Sequence, residues 1–226
     1  LFDLNGNNID DNDEAQEYAL PDKIIALGGE GDDIIDFSGI TDPSITFEIE
    51  GGAGNDIIRL GPLTGRAVIR GGEGNDTIVG GRGADEIYGD EGNDTLRGGG
   101  GNDILFGDDG TVTADAVSAK VGVTDGNDVI FGDAGLDHLF GGGGDDRIEG
   151  GGGNDLIIGD GGVVSLTGVT ETERGLLSGH DTLFGNAGGD RIYAGAGNDV
   201  AEGGEGDDEI YGEKGVDTLY GGSGAD

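Results

Sequence analysis

A nine-residue unit, Gly-Gly-x-Gly-x-Asp-x-apolar-x, recurs along this chain and restricts its possible folds more than any other feature. It reads GGEGNDTIV at Gly71, GGRGADEIY at Gly80, GDEGNDTLR at Gly89 and GGGGNDILF at Gly98. Later copies start at Gly132, Gly141, Gly150, Gly185 and Gly203, and earlier ones at Gly28 and Gly51. Glycines at positions 1, 2 and 4 are expected to adopt φ > 0 and to turn successive carbonyls toward one point. Positions 7 to 9 alternate polar, apolar, polar, the pattern of a short half-buried strand. The apolar position carries Ile35, Ile58, Ile78, Ile87, Leu96, Leu105, Ile130, Leu139, Ile148, Ile157, Leu183, Ile192, Ile210 and Leu219. One unit is thus one turn and one strand, and two units close a coil. Stacked coils give an all-β solenoid of two parallel sheets around a thin aliphatic core.

Charge is the obstacle to such a fold. The chain has 48 acidic and 11 basic residues, a formal charge of −37, and only 33% hydrophobic residues. Self-repulsion with so little apolar surface should leave it unfolded unless positive charge is supplied. A divalent cation is the economical source. Calcium takes six to eight hard oxygen ligands, and a glycine-rich turn with one aspartate offers carbonyls and a carboxylate. The same charge balance argues against nucleic acid as a partner. No cysteine is present to staple the chain, and no apolar run approaches the roughly 18 residues of a membrane span.

The tandem GGxGxDxUx units, with U apolar, resemble the RTX (repeats-in-toxin, hemolysin-type) nonapeptide family over residues 28–226. The resemblance implies a right-handed parallel β-roll with calcium between turns n and n+2 on each side. It implies that carbonyls of positions 1 and 3 serve one neighbouring ion, those of positions 2 and 4 the other, and that the position-6 aspartate bridges both. The matching aspartates are Asp33, Asp56, Asp76, Asp85, Asp94, Asp103, Asp128, Asp137, Asp146, Asp155, Asp181, Asp190, Asp199, Asp208 and Asp217, with Asp226 at the end. The matching turn glycines are Gly52, Gly54, Gly72, Gly74, Gly81, Gly83, Gly92, Gly99, Gly101, Gly135, Gly142, Gly144, Gly151, Gly153, Gly188, Gly195, Gly197, Gly204, Gly206 and Gly215. The family also implies export by type I secretion and folding in external calcium, hence an extracellular or cell-surface location. Such rolls accompany enzymes or toxins in other chains, or serve as structural and adhesive modules.

Irregular copies set the parity. Residues 42–50 place Phe47 at position 6, and residues 62–70 place Ala67 there. If both form turns, one side carries Asp33, Asp56, Asp76, Asp94, Asp128, Asp146, Asp181, Asp199 and Asp217. The other carries Asp85, Asp103, Asp137, Asp155, Asp190, Asp208 and Asp226, and its first two turns lack a carboxylate. That arrangement predicts about 14 calcium ions at most, which would bring the charge near −9. Inserts 109–124 and 161–177 interrupt two turns between positions 2 and 3, on one side, two coils or about 10 Å apart. They read either as tolerated loops or as paired flaps offering a protein-binding surface. Position 9 forms a stripe of Tyr88, Phe106, Phe140, Ile158, Tyr193 and Tyr211, read as a stabilising ladder or as an exposed contact face for protein or glycan.

Residues 1–27 stand apart as a cap or linker. Asp3, Asn5, Asn7 and Asp11 are spaced like ligands of a single EF-hand-type loop, set against a plain acidic linker. Lys23–Leu27 reads as the first strand. No His-Glu-x-x-His or Gly-x-Ser-x-Gly motif appears, and neither His138 nor His180 has an evident catalytic partner, so no enzymatic activity is expected of these residues. The chain starts at Leu1 and stops at Asp226 within a repeat, and reads as part of a longer protein.

Overall fold

A computed structural model describes residues 22–40, 42–61, 65–113, 116–119, 126–160, 163–165, 168–170 and 179–226. Among them the strands build two nine-stranded parallel sheets, and consecutive repeats alternate between the two. One sheet runs Lys23–Glu30, Thr46–Ala53, Ala67–Glu73, Glu86–Glu91, Ile104–Phe106, His138–Gly142, Leu156–Asp160, Arg191–Tyr193 and Glu209–Tyr211. The other runs Ile34–Phe37, Ile57–Leu60, Thr77–Val79, Thr95–Gly100, Val129–Ala134, Arg147–Gly152, Thr182–Ala187, Val200–Glu205 and Thr218–Ser223. The chain is thus an all-β parallel roll in which every two repeats complete a coil. No helix occurs among the described residues.

Register follows from the single apolar position in each unit. Ile69, Ile87, Leu105, Leu139, Ile157 and Ile192 stack in one sheet. Ile58, Ile78, Leu96, Ile130, Ile148 and Leu183 stack in the other, and all twelve are fully buried. A slip of one residue would turn the whole column outward, so this row alone locks the pairing. The core is one side chain thick, and the turns must contribute much of the remaining cohesion.

At one end the two turns without a position-6 aspartate are filled by hydrocarbon. Ile24, Phe47 and Ala67 lie in register where aspartates lie farther along, and Ile45 is buried with them. Phe37 packs on Phe47 with ring centroids 5.2 Å apart.

The inserts do not hang free. Strands Gly110–Val112 and Ala116–Ala119 of the first join Val163–Ser165 and Gly168–Thr170 of the second in a four-stranded antiparallel sheet. The junction pairs Val117 with Val164. This flap sheet covers the aromatic stripe. Tyr88, Phe106, Phe140 and Ile158 form a buried cluster against which Val112, Val117, Ile104 and Leu156 pack. The rings stack 4.9 Å apart from Tyr88 to Phe106 and from Phe106 to Phe140, the spacing imposed by neighbouring strands. Of the two readings of the stripe, its middle matches the packed ladder, although covered by the flap rather than facing outward. That middle is a second core, closed because the apolar rings on one sheet and Val112 and Val117 of the first insert both gain by leaving water. Tyr193 and Tyr211 continue the stack at 4.8 Å, with Tyr211 exposed. Replacing Phe140 by Leu should cost about 1 kcal/mol through lost stacking and imperfect filling. Urea unfolding at saturating calcium measures it.

Candidate metal centres

The turns bring the position-6 aspartates into two straight columns. On one side each carboxylate reaches back one coil. Asp33 N–H donates to Asp56 Oδ1 at 2.7 Å, Asp56 N–H to Asp76 at 2.7 Å, and Asp76 N–H to Asp94 at 2.7 Å. The series continues through Asp128, Asp146, Asp181, Asp199 and Asp217. On the other side Ala67 N–H opens a column that runs through Asp85, Asp103, Asp137, Asp155, Asp190, Asp208 and Asp226. Parity reasoning assigns the same memberships.

One carboxylate oxygen is thus used by the backbone, and the second is left over. The Oδ2 atoms of Asp33, Asp56, Asp76, Asp94, Asp103, Asp137, Asp146, Asp155, Asp181, Asp190, Asp199 and Asp208 are buried without a hydrogen-bond partner. All but that of Asp199, whose turn has Ala194 at position 1, point into a small cradle at the position-1 glycine of their own turn. An ideal Cβ on Gly51 would lie 2.4 Å from Asp56 Oδ2 and 2.6 Å from the carbonyl oxygen of Gly71 in the next coil. At Gly185 the corresponding distances to Asp190 Oδ2 and the Gly203 carbonyl are 2.3 and 2.5 Å. A buried carboxylate oxygen and a carbonyl oxygen of the next coil therefore lie side by side, with no proton donor to the carboxylate oxygen, a donor set that suits a hard cation held between coils. Among the described residues no three His, Cys, Asp or Glu side chains are grouped to hold a metal, so the remaining ligands would be backbone carbonyls.

These cradles correct the expected role of the first glycine. Left-handed φ occurs at positions 2 and 4, as at Gly72 (115°) and Gly74 (125°), whereas the position-1 glycines keep ordinary φ. At turns such as those of Gly51 and Gly185, position 1 is glycine because a side chain would occupy the space shared by the carboxylate and the neighbouring carbonyl, whereas the turn of Asp199 carries the buried Ala194 there. Position 2 tolerates Asp90, Asp133, Asn186 and Glu213, also at positive φ.

Asp85 differs from the other aspartates. Its Oδ2 accepts the Gly81 N–H at 2.8 Å, and neither Gly81 nor Gly83 is left-handed. The turn beside the apolar plug closes on itself and leaves no free oxygen.

Burial dominates the electrostatics. It pushes Asp146 up to about 10 and Asp181 to about 8, with hydrogen bonds from the backbone of Asp128 and Asp146 opposing and neighbouring carboxylates adding. Asp94, Asp103 and Asp137 are raised to about 7, and Asp76 and Asp190 to about 6, for the same first reason. A carboxyl raised in the fold binds more protons folded than unfolded, so without metal stability falls as pH rises from about 4 through these values. A cation removes that penalty but competes with the proton. In excess chelator the β-sheet circular dichroism should therefore be stronger at pH 5 than at pH 7, and spectra of chelated samples at fixed pH values check it.

A second ladder, at position 5, escapes a reading centred on the aspartates. Asn75, Asn93 and Asn127 each donate their N–H to the side-chain oxygen of the position-5 residue one coil earlier, at 2.6–2.9 Å. Asn198 N–H donates to His180 Nδ1 at 2.9 Å, which gives that histidine a structural place. The recurrence of Asn or Asp before the position-6 aspartate is its sequence signal. Positions Asp3, Asn5, Asn7 and Asp11 lie outside the described residues.

A family model described as the RTX calcium-binding nonapeptide repeat (4 copies) matches residues 48–62, 64–96, 80–113, 123–157, 177–208 and 195–226. No curated protein matches the chain.

Proposed function

Because the chain belongs to the family of RTX calcium-binding nonapeptide repeats, we propose that the two aspartate columns hold calcium and that loading them folds the roll. The observation that carries this reading is the row of buried carboxylate oxygens, each aimed at a carbonyl of the next coil and lacking a proton donor. Left ionised in a dry turn, each would oppose folding by several kcal/mol. Calcium supplies the missing charge and accepts the inward carbonyls as ligands.

The residues that would hold the ions are the position-6 aspartates from Asp33 to Asp217 and the turn carbonyls beside them. Asp85 is kept among them, since an oxygen that accepts the Gly81 N–H keeps a further lone pair for an ion. The count stays at about 14 at most, with the charge falling to about −9. Calcium per chain, measured by equilibrium dialysis at saturation, tests this. Fewer than about half that number, with the roll fully formed, would refute the two-column reading.

The wider service is that of a structural or adhesive module of a secreted or cell-surface protein. The supporting features are the family's association with export and the strongly acidic charge balance. The alternative is the non-catalytic folding and secretion segment of an exoenzyme or toxin, which would share the same calcium chemistry.

A further inference from the structure

The two interrupted turns pose a problem for a continuous column of ions. In an uninterrupted turn the position-2 carbonyl faces position 2 of the next coil. An ideal Cβ on Gly72 would lie 2.0 Å from the Gly52 carbonyl oxygen, and one on Gly151 2.1 Å from that of Asp133. The position-3 N–H of the next coil donates to that same carbonyl, as Gly100 does to Gly81 at 3.1 Å and Lys214 to Gly195 at 3.0 Å. Where a flap leaves the turn, the chain departs just after position 2.

Both interrupted turns carry aspartate at that position, and its side chain stands where the carbonyl stands elsewhere. An ideal Cβ on Gly142 would lie 2.1 Å from Asp108 Oδ2, and one on Gly195 2.3 Å from Asp160 Oδ2. The N–H of Gly143 donates to Asp108 Oδ2 at 2.8 Å, and that of Ala196 to Asp160 Oδ2 at 2.5 Å. These are the position-3 donors that would otherwise find a carbonyl. Asp108 is only 3% exposed. The second gap also contains the partnerless Oδ2 of Asp181, beside the carbonyl oxygen of Ala194.

We propose that Asp108 and Asp160 are calcium ligands, each replacing the carbonyl that an interrupted turn loses, so that the ion column runs unbroken beneath the flaps. The inference rests on the calcium-roll reading above and extends it. Asp108 Oδ1 also accepts the Gly126 N–H at 3.2 Å, and because each carboxylate oxygen keeps a further lone pair after accepting one N–H, the hydrogen bonds and the ion are compatible. The substitution also adds negative charge at these two gaps, which therefore bind calcium more tightly than gaps served by carbonyls alone. Each flap base is tied to an ion, and the flap sheet to calcium.

The test counts calcium on the full chain by equilibrium dialysis, with circular dichroism to monitor folding. The double variant Asp108→Ala/Asp160→Ala should bind about two ions fewer than the parent. The exposed-charge control Glu202→Gln, on an outward strand position away from the turns, should bind the parental number. If the double variant does not fold, Asp108→Asn/Asp160→Asn retains oxygens but loses charge, and should raise the calcium midpoint at least about tenfold. The same two asparagines introduced after excision of residues 109–124 and 161–177 should leave the midpoint of that shortened chain unchanged. Uninterrupted turns accept Asn at position 2, as at Asn186. A full complement at an unshifted midpoint in the alanine variant overturns the inference, as does an equal asparagine effect with and without the inserts. A parent chain that binds no calcium overturns the calcium-roll reading itself.

Discussion

In excess chelator at neutral pH the chain loses its β-sheet circular dichroism, and added calcium restores it in a steep, cooperative titration. The formal charge is −37 with 11 basic residues to offset it. Fourteen aspartates lie at most 4% exposed, and burial raises most of them well above the ordinary carboxylate range. Transfer of even one unpaired carboxylate into a dry turn costs several kcal/mol, whereas the net stability of a domain is about 5–15 kcal/mol. The metal-free roll cannot sustain a dozen such charges. On the proposed coordination neighbouring gaps would share each aspartate, so filling one would prepare the next, and nearest-neighbour coupling of this kind makes repeat arrays cooperative. Magnesium at the same concentration should restore far less signal, because it demands a smaller octahedral shell and gives up water reluctantly. A full β-signal in chelator would refute calcium-driven folding.

Gly153→Ala should destabilise the calcium-loaded roll by about 3 kcal/mol or more, the sum of left-handed strain and overpacking. Gly153 has φ of 132°, and a Cβ there would lie 1.6 Å from the carbonyl oxygen of Gly135 in the preceding coil. That carbonyl belongs to the stacked backbone, so relief requires the coils to part. Parting them opens the adjoining gaps and weakens their ions, and the calcium midpoint should rise as well. Gly39→Ala is the comparison, since nothing lies within 4 Å of its Cβ position and its φ is ordinary. It should change stability by less than about 0.5 kcal/mol. Urea unfolding of both variants at saturating calcium distinguishes them. Equal stabilities would mean that the coils do not stack through these carbonyls.

Much of this was readable in advance because the repeat is a geometric instruction. One apolar residue per nine, opposite a glycine-rich turn, permits only a thin stacked coil, and the spacing of Asp33 to Asp226 determines which carboxylates share a side. Even the turns of Phe47 and Ala67 could be counted through as metal-free. The role of position 1 was not readable. Glycine is compatible with both unusual φ and tight space, and only the neighbouring coil reveals that space is what Gly51 and Gly185 supply. Asp85 matches the motif fully, yet its free oxygen turns to the Gly81 N–H beside the apolar plug.

The inserts mark the boundary between the two kinds of information. Their positions, their spacing of two coils and their valines are all local facts of sequence. That Val117 pairs with Val164 and that the joined sheet closes over Phe106 and Phe140 depend on contacts between segments some 50 residues apart. The same holds for Asp108 and Asp160, which in sequence look like any position-2 aspartate. The amino-acid sequence by itself determined the roll, its core and the two columns of carboxylates, because a nine-residue period encodes stacking directly. Tertiary structure alone decided which surface is buried, which oxygen is spare and which side chain stands in for a carbonyl. Each of these depends on the atom that the next coil, or the other flap, places opposite.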